Sequence, residues 1–229
     1  MEVAVHLLTR SAEFLVEYAP AFMRGAWVTL SVTAVACLLG LFVGVPLGWL
    51  RSRRGQLPPW IDKVIMSAAE CTKAIPVLVL LVWWHYLIPE ATGRATTPFV
   101  TTAVVLSLTV AVSASEIIGS AIRSIPEGEL EAAEALGMTP VQVARFVGVP
   151  LATRAAASSL LLLAIDTLKL STFASVIALG ELLHTTDIII QQRYTPLPGY
   201  TALAVIFILL VIPASAIVRR FGRKWAIRR

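Results

Sequence analysis

The 229-residue chain is 57% hydrophobic and only 14% charged, and its mean hydropathy is +0.80. Because about a quarter of the residues of a typical soluble domain are charged, this composition excludes an ordinary soluble protein. The formal net charge of +5 is compatible with binding to nucleic acid or to a membrane surface, and the placement of the charges decides between the two.

Five apolar stretches follow an N-terminal segment, and each approaches the roughly 20 residues that a helix needs to cross a bilayer. The N-terminal segment, about residues 1–22, favours an amphipathic helix on the outer interface, because its early charges include three glutamates and no basic region of a secretory signal is present. The sequence therefore predicts an all-α membrane protein with five transmembrane helices in a single domain, residues 1–229. The predicted spans are Ala26–Leu50, Val64–Ile88, Phe99–Ile122, Ala155–Leu183 and Tyr200–Val218.

Lysine and arginine are concentrated in one set of the predicted loops. Arg51, Arg53 and Arg54 follow the first span, three arginines lie between the third and fourth spans, and six basic residues follow the fifth span. The opposite set of loops contains four arginines. Because basic loops stay in the cytoplasm, the N-terminus is expected outside and the C-terminus inside. The placement of the basic residues is thus evidence for the orientation of the chain in the membrane rather than for nucleic-acid binding.

The longest predicted cytoplasmic loop, about residues 123–154, contains signals for two short helices. Ser124 and Glu127 have the spacing of a capping box, and Gly137 is a natural end for the first helix. We expect this helix to expose Glu131, Ala132 and Ala133, whose small alanine side chains allow another surface to approach closely.

The second helix of the loop has its own signals. Thr139 and Gln142 form a second predicted capping box with Pro140 at the first helical position, and Pro150 predicts the end of the helix. In isolation the two helices look like a DNA-binding helix-turn-helix. A DNA-reading unit tethered on both sides by membrane spans is unfavourable, so we expect no nucleic acid among the partners.

The segment EAAEALGMTPVQVARFVGVP, residues 131–150, resembles the EAA loop of the inner-membrane subunits of binding-protein-dependent ABC importers. Val147 stands where isoleucine is usual and Val149 where leucine is usual. RGAWVTLSVTAVACLLGLFVG, SEIIGSAIRSIPEGELEAAEALG and LKLSTFASVIALGELL are similar to segments of the polar amino acid group of that family. Gly119 departs from the arginine usual there, and Leu170 from the aspartate. The signature positions are occupied by Glu131, Ala132, Ala133, Gly137, Val147 and Pro150.

The resemblance implies the type I ABC importer permease fold, with the loop as a cytoplasmic two-helix coupling element. It implies half of a translocation path for amino acids or related small polar solutes in a bacterial inner membrane. The chain is then no enzyme by itself and holds no cofactor or metal, since ATP and Mg are bound by the ATPase. The implied partners are two ABC ATPase subunits, a second permease that we expect to be related but different, an extracytoplasmic solute-binding protein and the lipid membrane. The implied ATPase-coupling residues are Glu131, Ala132, Ala133 and Gly137.

Charged residues inside predicted spans are costly and usually functional. Asp166 and Lys169 are three residues apart in span four, so they are expected on nearly the same helix face. They form either a structural ion pair or a polar lining of the translocation path. The other candidates for the path are Glu116 in span three and the hydroxyls of Ser171 and Thr172.

Two other function classes remain open from the residues alone. An ion-coupled secondary transporter would need no ATPase, but it should show paired repeats, and none is evident in the sequence. A membrane-bound sensor would use the loop as a helix-turn-helix. Neither class explains why the residues of the EAA signature occur at their characteristic spacing.

Overall fold

The computed structural model describes residues 2–52 and 58–225, and this part of the chain contains helices and no strand. A π turn, Ala144–Gly148, precedes α8, and a 3-10 helix, Ser171–Ile177, follows it. The helices in chain order are α1 (Glu2–Glu17), α2 (Ala19–Ser52), α3 (Pro59–Ala74), α4 (Val77–Thr92), α5 (Pro98–Arg123), α6 (Glu127–Ala135), α7 (Pro140–Val143), α8 (Val149–Leu170), α9 (Leu182–Arg193) and α10 (Pro196–Trp225).

Four helical stretches in the described residues are long and apolar enough to cross a membrane: Ala19–Ser52, Pro98–Arg123, Pro140–Ile177 and Pro196–Val218. A fifth span results if the bent pair α3 and α4 is taken as one crossing. The predicted spans one, three and five are thereby confirmed as α2, α5 and α10.

Span two, predicted as one helix over Val64–Ile88, is wrong as an unbroken element. It is divided into α3 and α4, which are bent by 102° at Ile75 and Pro76. Proline disfavours the helical conformation of the residue before it, and Ile75 is extended, with φ −91° and ψ 125°. The chain therefore makes an elbow in the middle of this crossing.

Span four, predicted over Ala155–Leu183, also needs correction. Helical structure continues only to Ile177, and Ala178 stops it in the left-handed conformation with φ 58°, so Leu182 and Leu183 belong to α9. At the other end, Pro150 does not terminate the second loop helix as predicted. The π turn before it widens the helix, which accommodates a proline ring that would otherwise clash with the preceding turn. One helical rod thus runs from Pro140 to Ile177.

The α2–α5 pair forms the most closely packed part of the fold. An added Cβ at Gly44 would lie 2.4 Å from the Ala111 carbonyl oxygen, and Gly40 and Gly48 meet α5 equally closely. Only the absence of side chains at these positions permits such an approach. Valines and leucines of α2, α4 and α5 then pack with the 3-10 helix into the largest buried cluster.

We call the end of the bundle that carries α6 and α7 the loop end. The C-terminal part of α2 lies there, because a Cβ at Gly148 would be 3.7 Å from the Trp49 ring. The N-terminal part of α2 lies at the opposite end, where Gly25 meets Leu182 of α9.

The N-terminal helix, predicted over about residues 1–22, ends at Glu17, and α2 already begins at Ala19. Phe14 of α1 is buried with Phe22 and Leu203, which fixes α1 against α2 and α10. Glu17 forms an ion pair with Arg193 at the end of α9, at 2.9 Å. A helix is therefore present but shorter than predicted, and its place on the outer interface stays a prediction, while Met1 lies outside the described residues.

Candidate coupling loop and polar path

The first loop helix, α6, begins at Glu127 without the predicted capping box. Its N-cap is Pro126, which makes no side-chain cap, and the Ser124 hydroxyl instead donates to the Ala121 carbonyl at 2.7 Å. Ser124 still belongs to the last turn of α5, where a serine side chain readily bonds the preceding turn. The predicted box is wrong, and α5 continues almost directly into α6.

Gly137 ends α6 as predicted. Its φ is +80°, its N–H donates to Glu134, and the N–H of Met138 donates to Ala133. These two bonds form a Schellman motif, which satisfies carbonyls left over at the helix end. The tight turn aims the chain directly into α7.

The predicted capping box of α7 is confirmed. The Thr139 N–H donates to the Gln142 side chain at 2.8 Å, and the Thr139 hydroxyl accepts from the Gln142 N–H. Since α7 continues through the π turn into α8, both ends of the loop are held without any partner.

The loop has one inward and one outward face. Glu131 and Ala132 are exposed as expected, but Ala133 is buried beneath the loop, so the prediction that it faces outward is wrong. Sequence reasoning missed a group of exposed apolar residues: Leu136 is 80%, Val141 74% and Phe146 61% exposed. Apolar residues on a rigid surface that the chain itself leaves uncovered are typical of an interaction site.

Glu116 lies on α5 and forms an ion pair with Lys73, in the last turn of α3. Both side chains are about half exposed. Sequence reasoning did not select Lys73, which is 43 positions from Glu116 in the chain. Arg51 and Asp62 form a comparable pair of 3.0 Å at the first turn of α3.

Asp166 and Lys169 of α8 do pair, at 2.6 Å, and both side chains are about half exposed. The neighbouring Thr172 lines, with Lys169, a groove of about 430 Å³ whose other walls are Phe207, Ile208, Val211 and Ile212 of α10. Ser171 is fully buried and donates to the Leu168 carbonyl at 2.8 Å, so it faces the interior of the fold. The pair and Thr172 are thus brought together, and Ser171 is separated from them.

A second cleft lies between α5 and α8. It has a volume of about 350 Å³ and is lined by Glu116 together with the serines Ser120, Ser124 and Ser159. Lys169 and Asp166 do not line it. The two charged pairs of the candidate path therefore lie at different heights of the bundle, Glu116 toward the loop end and Lys169 toward the opposite end.

A further carboxylate, Glu181, was not selected from the sequence. It is fully buried and caps α9, accepting from the N–H groups of Leu183 at 2.9 Å and His184 at 2.8 Å. Burial raises its pKa from 4.5 to about 7, and the two backbone hydrogen bonds oppose that shift. The residue lies outside the four long helical stretches, between the 3-10 helix and α9. No local pattern around Glu181 indicates its burial, which results from tertiary packing.

Comparison with known proteins starts from a family model. Residues 36–227 match the model described as "Binding-protein-dependent transport system inner membrane component". The probable glutamine ABC transporter permease protein GlnP of Bacillus subtilis (strain 168) is 31% identical over 186 residues, which cover 79% of this chain and 83% of that protein. The glutamine transport system permease protein GlnP of Escherichia coli (strain K12) is 28% identical over 210 residues, covering 91% and 94%.

Solved structures show the same fold. The crystal structure of an amino acid ABC transporter with histidines superposes with a TM-score of 0.83 at 27% identity, covering 92% of this chain and 96% of that one. An inward-facing structure of the MetNI methionine ABC transporter gives a TM-score of 0.76 at 24% identity, covering 92% and 99%. The arrangement of helices is that of type I ABC importer permeases.

Proposed function

We propose that this chain, which belongs to the family of inner-membrane components of binding-protein-dependent transport systems, is a permease subunit that couples an ATPase to solute movement through residues 127–148. Glu131, Ala132 and the turn at Gly137 are the coupling positions, and Ala133 supports them from below. The alternatives of a secondary transporter and a membrane-bound sensor are not favoured by the family match.

The observation that carries this proposal is the uncovered apolar surface on a self-capped loop. Leu136, Val141 and Phe146 are exposed on a unit whose shape is fixed by its own Schellman motif and capping box. A partner that covers them gains apolar burial without having to order the loop first. We assign that partner as an ATPase subunit, which binds ATP and Mg. Two permeases form a pair, so the complete transporter has two ATPase subunits, one on each permease.

The loop is also suited to transmit force. The rod from Pro140 to Ile177 joins the loop to α8, and α5 joins it through Ser124. A rigid element connected to two spans moves both when it is displaced, which is a physical route for coupling two distant sites. The moving spans are those that carry Glu116, Asp166 and Lys169.

We assign the solute path to the half-exposed polar residues of those spans: Glu116, Asp166, Lys169 and Thr172. Charges at membrane depth avoid lipid, so this face of the chain borders water, solute or a second permease. The relatives named for glutamine support amino acids or related small polar solutes, delivered by an extracytoplasmic binding protein. Ser171, the first residue of the 3-10 helix, contributes to the path only if that segment changes its present form, because it is buried.

For the second permease we propose a related but different chain. Gly119 and Leu170 replace an arginine and an aspartate usual in the group, so one half of the polar pocket is reduced in this subunit. Expression with the ATPase and binding protein alone tests this point. Full solute-dependent uptake from that set would favour a pair of identical chains, whereas uptake that appears only after a second permease is added supports two different ones.

The orientation follows from the basic loops, with the N-terminus outside and the loop end in the cytoplasm of a bacterial cell. Single cysteines placed at Gly128 and Thr92 test it with an impermeant maleimide. Residue 128 should react only from the cytoplasm and residue 92 only from outside. Reaction of both from one side would overturn the proposed topology.

Purification of the tagged chain in detergent, followed by reconstitution into proteoliposomes, tests the function itself. We expect an ATPase to copurify, and uptake of L-glutamine to require both ATP inside and binding protein outside. Uptake driven by an ion gradient without ATP would show a secondary transporter instead.

A further inference from the structure

The short segment between the 3-10 helix and α9 has the properties of a hinge. It comprises residues 178–181, and it joins the rod from Pro140 to Ile177 with α9. Ala178 has a left-handed conformation with φ 58°, which a residue with a Cβ keeps only when its surroundings impose it. A Cβ at Gly180 would have no neighbour within 4 Å, so the chain has room to move there. Changes in the φ and ψ angles of a few such residues are sufficient to reorient a helix.

The first turn of α9 lies directly on α2. The Leu182 N–H donates to the Thr29 hydroxyl at 3.2 Å. An added Cβ at Gly25 would lie 3.2 Å from the Leu182 Cα, so the two backbones are almost in contact. Leu182 and Thr29 are both fully buried. The position of α9 on α2 thus depends on a specific hydrogen bond and on the missing side chain of Gly25.

A carboxylate without a counter-charge is buried beside this contact. Glu181 is 0% exposed, and its two oxygens accept from the N–H groups of Leu183 and His184. None of the ion pairs in the described part of the chain includes it. Burial disfavours the charged form of a carboxyl group that lacks a basic partner. Glu181 is therefore least costly when a proton neutralises it or when water reaches it.

The charged groups around this end of α9 have partners other than Glu181. The Arg193 guanidinium binds Glu17, the Tyr200 hydroxyl donates to Asp187, and the 3-10 helix carries no charged residue. The titratable groups at this end of α9 and of the helices packed around it are His184, Asp187 and Arg193 of α9, Arg24 of α2, Tyr200 of α10, and Glu17 and Tyr18 of α1.

These surroundings link the position of α9 to pH. Burial, and to a smaller extent the negative charge of Asp187, raises the pKa of Glu181 to about 7, although the two backbone hydrogen bonds oppose the shift. In a form in which water reaches the carboxyl group, the pKa would return toward 4.5. The form that binds the proton more tightly is favoured at low pH. A rise in pH from 5 to 8 therefore favours the form in which Glu181 is hydrated.

We propose that Glu181 makes the α9–α2 contact a proton-dependent latch. The neutral carboxyl group keeps α9 on α2, and release of its proton to the surrounding water favours a form in which the first turn of α9 moves off α2. The hinge at residues 178–181 permits this movement while the rod stays in place. In the orientation proposed above, this end of the bundle faces the outside, so transport responds to extracytoplasmic pH. That consequence rests on the proposed permease function, whereas the movement of α9 is measurable without transport.

Labelling of a cysteine beneath the latch measures the movement. Thr186 is fully buried in α9, so Thr186→Cys should react with an impermeant maleimide only when α9 has moved. The complete transporter is studied in nanodiscs, with Cys37 and Cys71 of this chain replaced. The rate is divided by that of Tyr194→Cys, at a position that is 89% exposed, to correct for the pH dependence of the thiol itself. The ratio should rise by about threefold or more from pH 5 to pH 8.

Variants decide whether Glu181 causes the rise. Glu181→Gln should remove it, because an amide does not titrate. His184→Gln is the matched control and should retain it, since an imidazole is the other kind of side chain at this end that changes charge near neutral pH. An equal rise in Glu181→Gln and in the unaltered protein would overturn the proposal. If Glu181→Gln does not assemble, Asp187→Asn should move the midpoint of the rise to lower pH, and an unchanged midpoint would overturn the proposal instead.

Uptake of L-glutamine into proteoliposomes separates the latch from the proposed function. With ATP and a fixed pH inside, the uptake of the unaltered protein divided by that of Glu181→Gln should rise as the external pH is raised from 5 to 8. The division removes the pH dependence of the binding protein, which is common to both. A constant ratio would contradict the role of the latch in transport. Absence of uptake at every pH would contradict the permease function, while the labelling still decides whether α9 moves.

Discussion

The α2–α5 interface and the loop of residues 127–148 both depend on glycine, in opposite ways. At Gly44 the backbone of α5 is so close that a Cβ would lie 2.4 Å from the Ala111 oxygen. At Gly137 a Cβ would have no neighbour within 4 Å, and the requirement comes from a φ of +80°. One glycine allows contact inside the chain, and the other sets a turn that presents a surface to something outside it.

This difference between the two glycines separates the residues that stabilise the fold from the residues that couple the chain to a partner. The α2–α5 contact is completed by the chain itself, so its disruption should unfold the protein. The loop is shaped by the chain but leaves Leu136 and Phe146 exposed, so its disruption should spare folding and impair the link to a partner. The changes that follow test this separation, from the largest expected effect to the smallest.

Gly44→Val should have the largest effect, because the valine has no room against Ala111 and Ala114. Overpacking of this kind costs about 1–3 kcal/mol, and more when backbone blocks relaxation. The yield of monodisperse protein in detergent and its Tm should both fall. Gly128→Ala is the control, since nothing lies within 4 Å of a Cβ there, and a normal Tm for Gly44→Val would refute the packing account.

Gly137→Val should leave folding nearly intact and reduce ATP-driven uptake. A left-handed conformation costs a residue with a Cβ about 1–2 kcal/mol, so the turn between α6 and α7 should distort. Gly137→Asn should retain more activity, because asparagine tolerates this conformation better. Membrane insertion and Tm are measured beside uptake. Equal uptake from the valine variant and the unaltered protein would remove the turn from the coupling path.

Glu131→Lys should weaken attachment of the ATPase while leaving the Tm unchanged, because Glu131 is exposed and makes no described ion pair within the chain. Charge reversal at an interface changes association more than folding. The ATPase retained on the tagged permease at increasing salt concentration measures this effect. Retention identical to that of the unaltered protein at every salt concentration would place Glu131 outside the contact.

The pH dependence of stability that Glu181 causes is the smallest effect that we expect. Glu181 lies in the packed interior, as the α2–α5 interface does. Its pKa is raised from 4.5 to about 7, so the folded protein binds the proton more tightly than the unfolded chain. Stability is therefore greatest at low pH and falls as the pH rises from about 4.5 through 7. We expect the Tm to fall as the pH is raised from 5 to 8, because the proton bound to Glu181 in the folded protein is lost over this range. Glu181→Gln should flatten this dependence, and an unchanged slope would contradict the raised pKa.

The sequence predicted the elements whose signals are local. Apolar length identified α2, α5 and α10, and the caps at Gly137 and Thr139 follow from nearest neighbours along the chain. These features need no information about packing. The EAA signature is likewise local in sequence, and two of its residues, Glu131 and Ala132, are exposed as expected.

The features that it missed depend on tertiary packing. The span that contains Pro76 is bent by 102° there, whereas Pro150 follows a π turn inside a continuous helical stretch. Lys73 and Glu116 form an ion pair although 43 positions separate them in the chain. Burial of Ala133 and Glu181, and exposure of Leu136, likewise depend on neighbours that are distant in sequence or absent from the chain.

Photo-cross-linking from the loop tests the central claim most directly. A benzophenone maleimide is attached to Ala132→Cys in a chain whose Cys37 and Cys71 are replaced, and the complete transporter is irradiated in membranes. The account predicts a product of permease with ATPase from residue 132 and none from Thr92→Cys at the far end of α4. A product from residue 92, with none from residue 132, would contradict the assignment of the loop as the coupling surface.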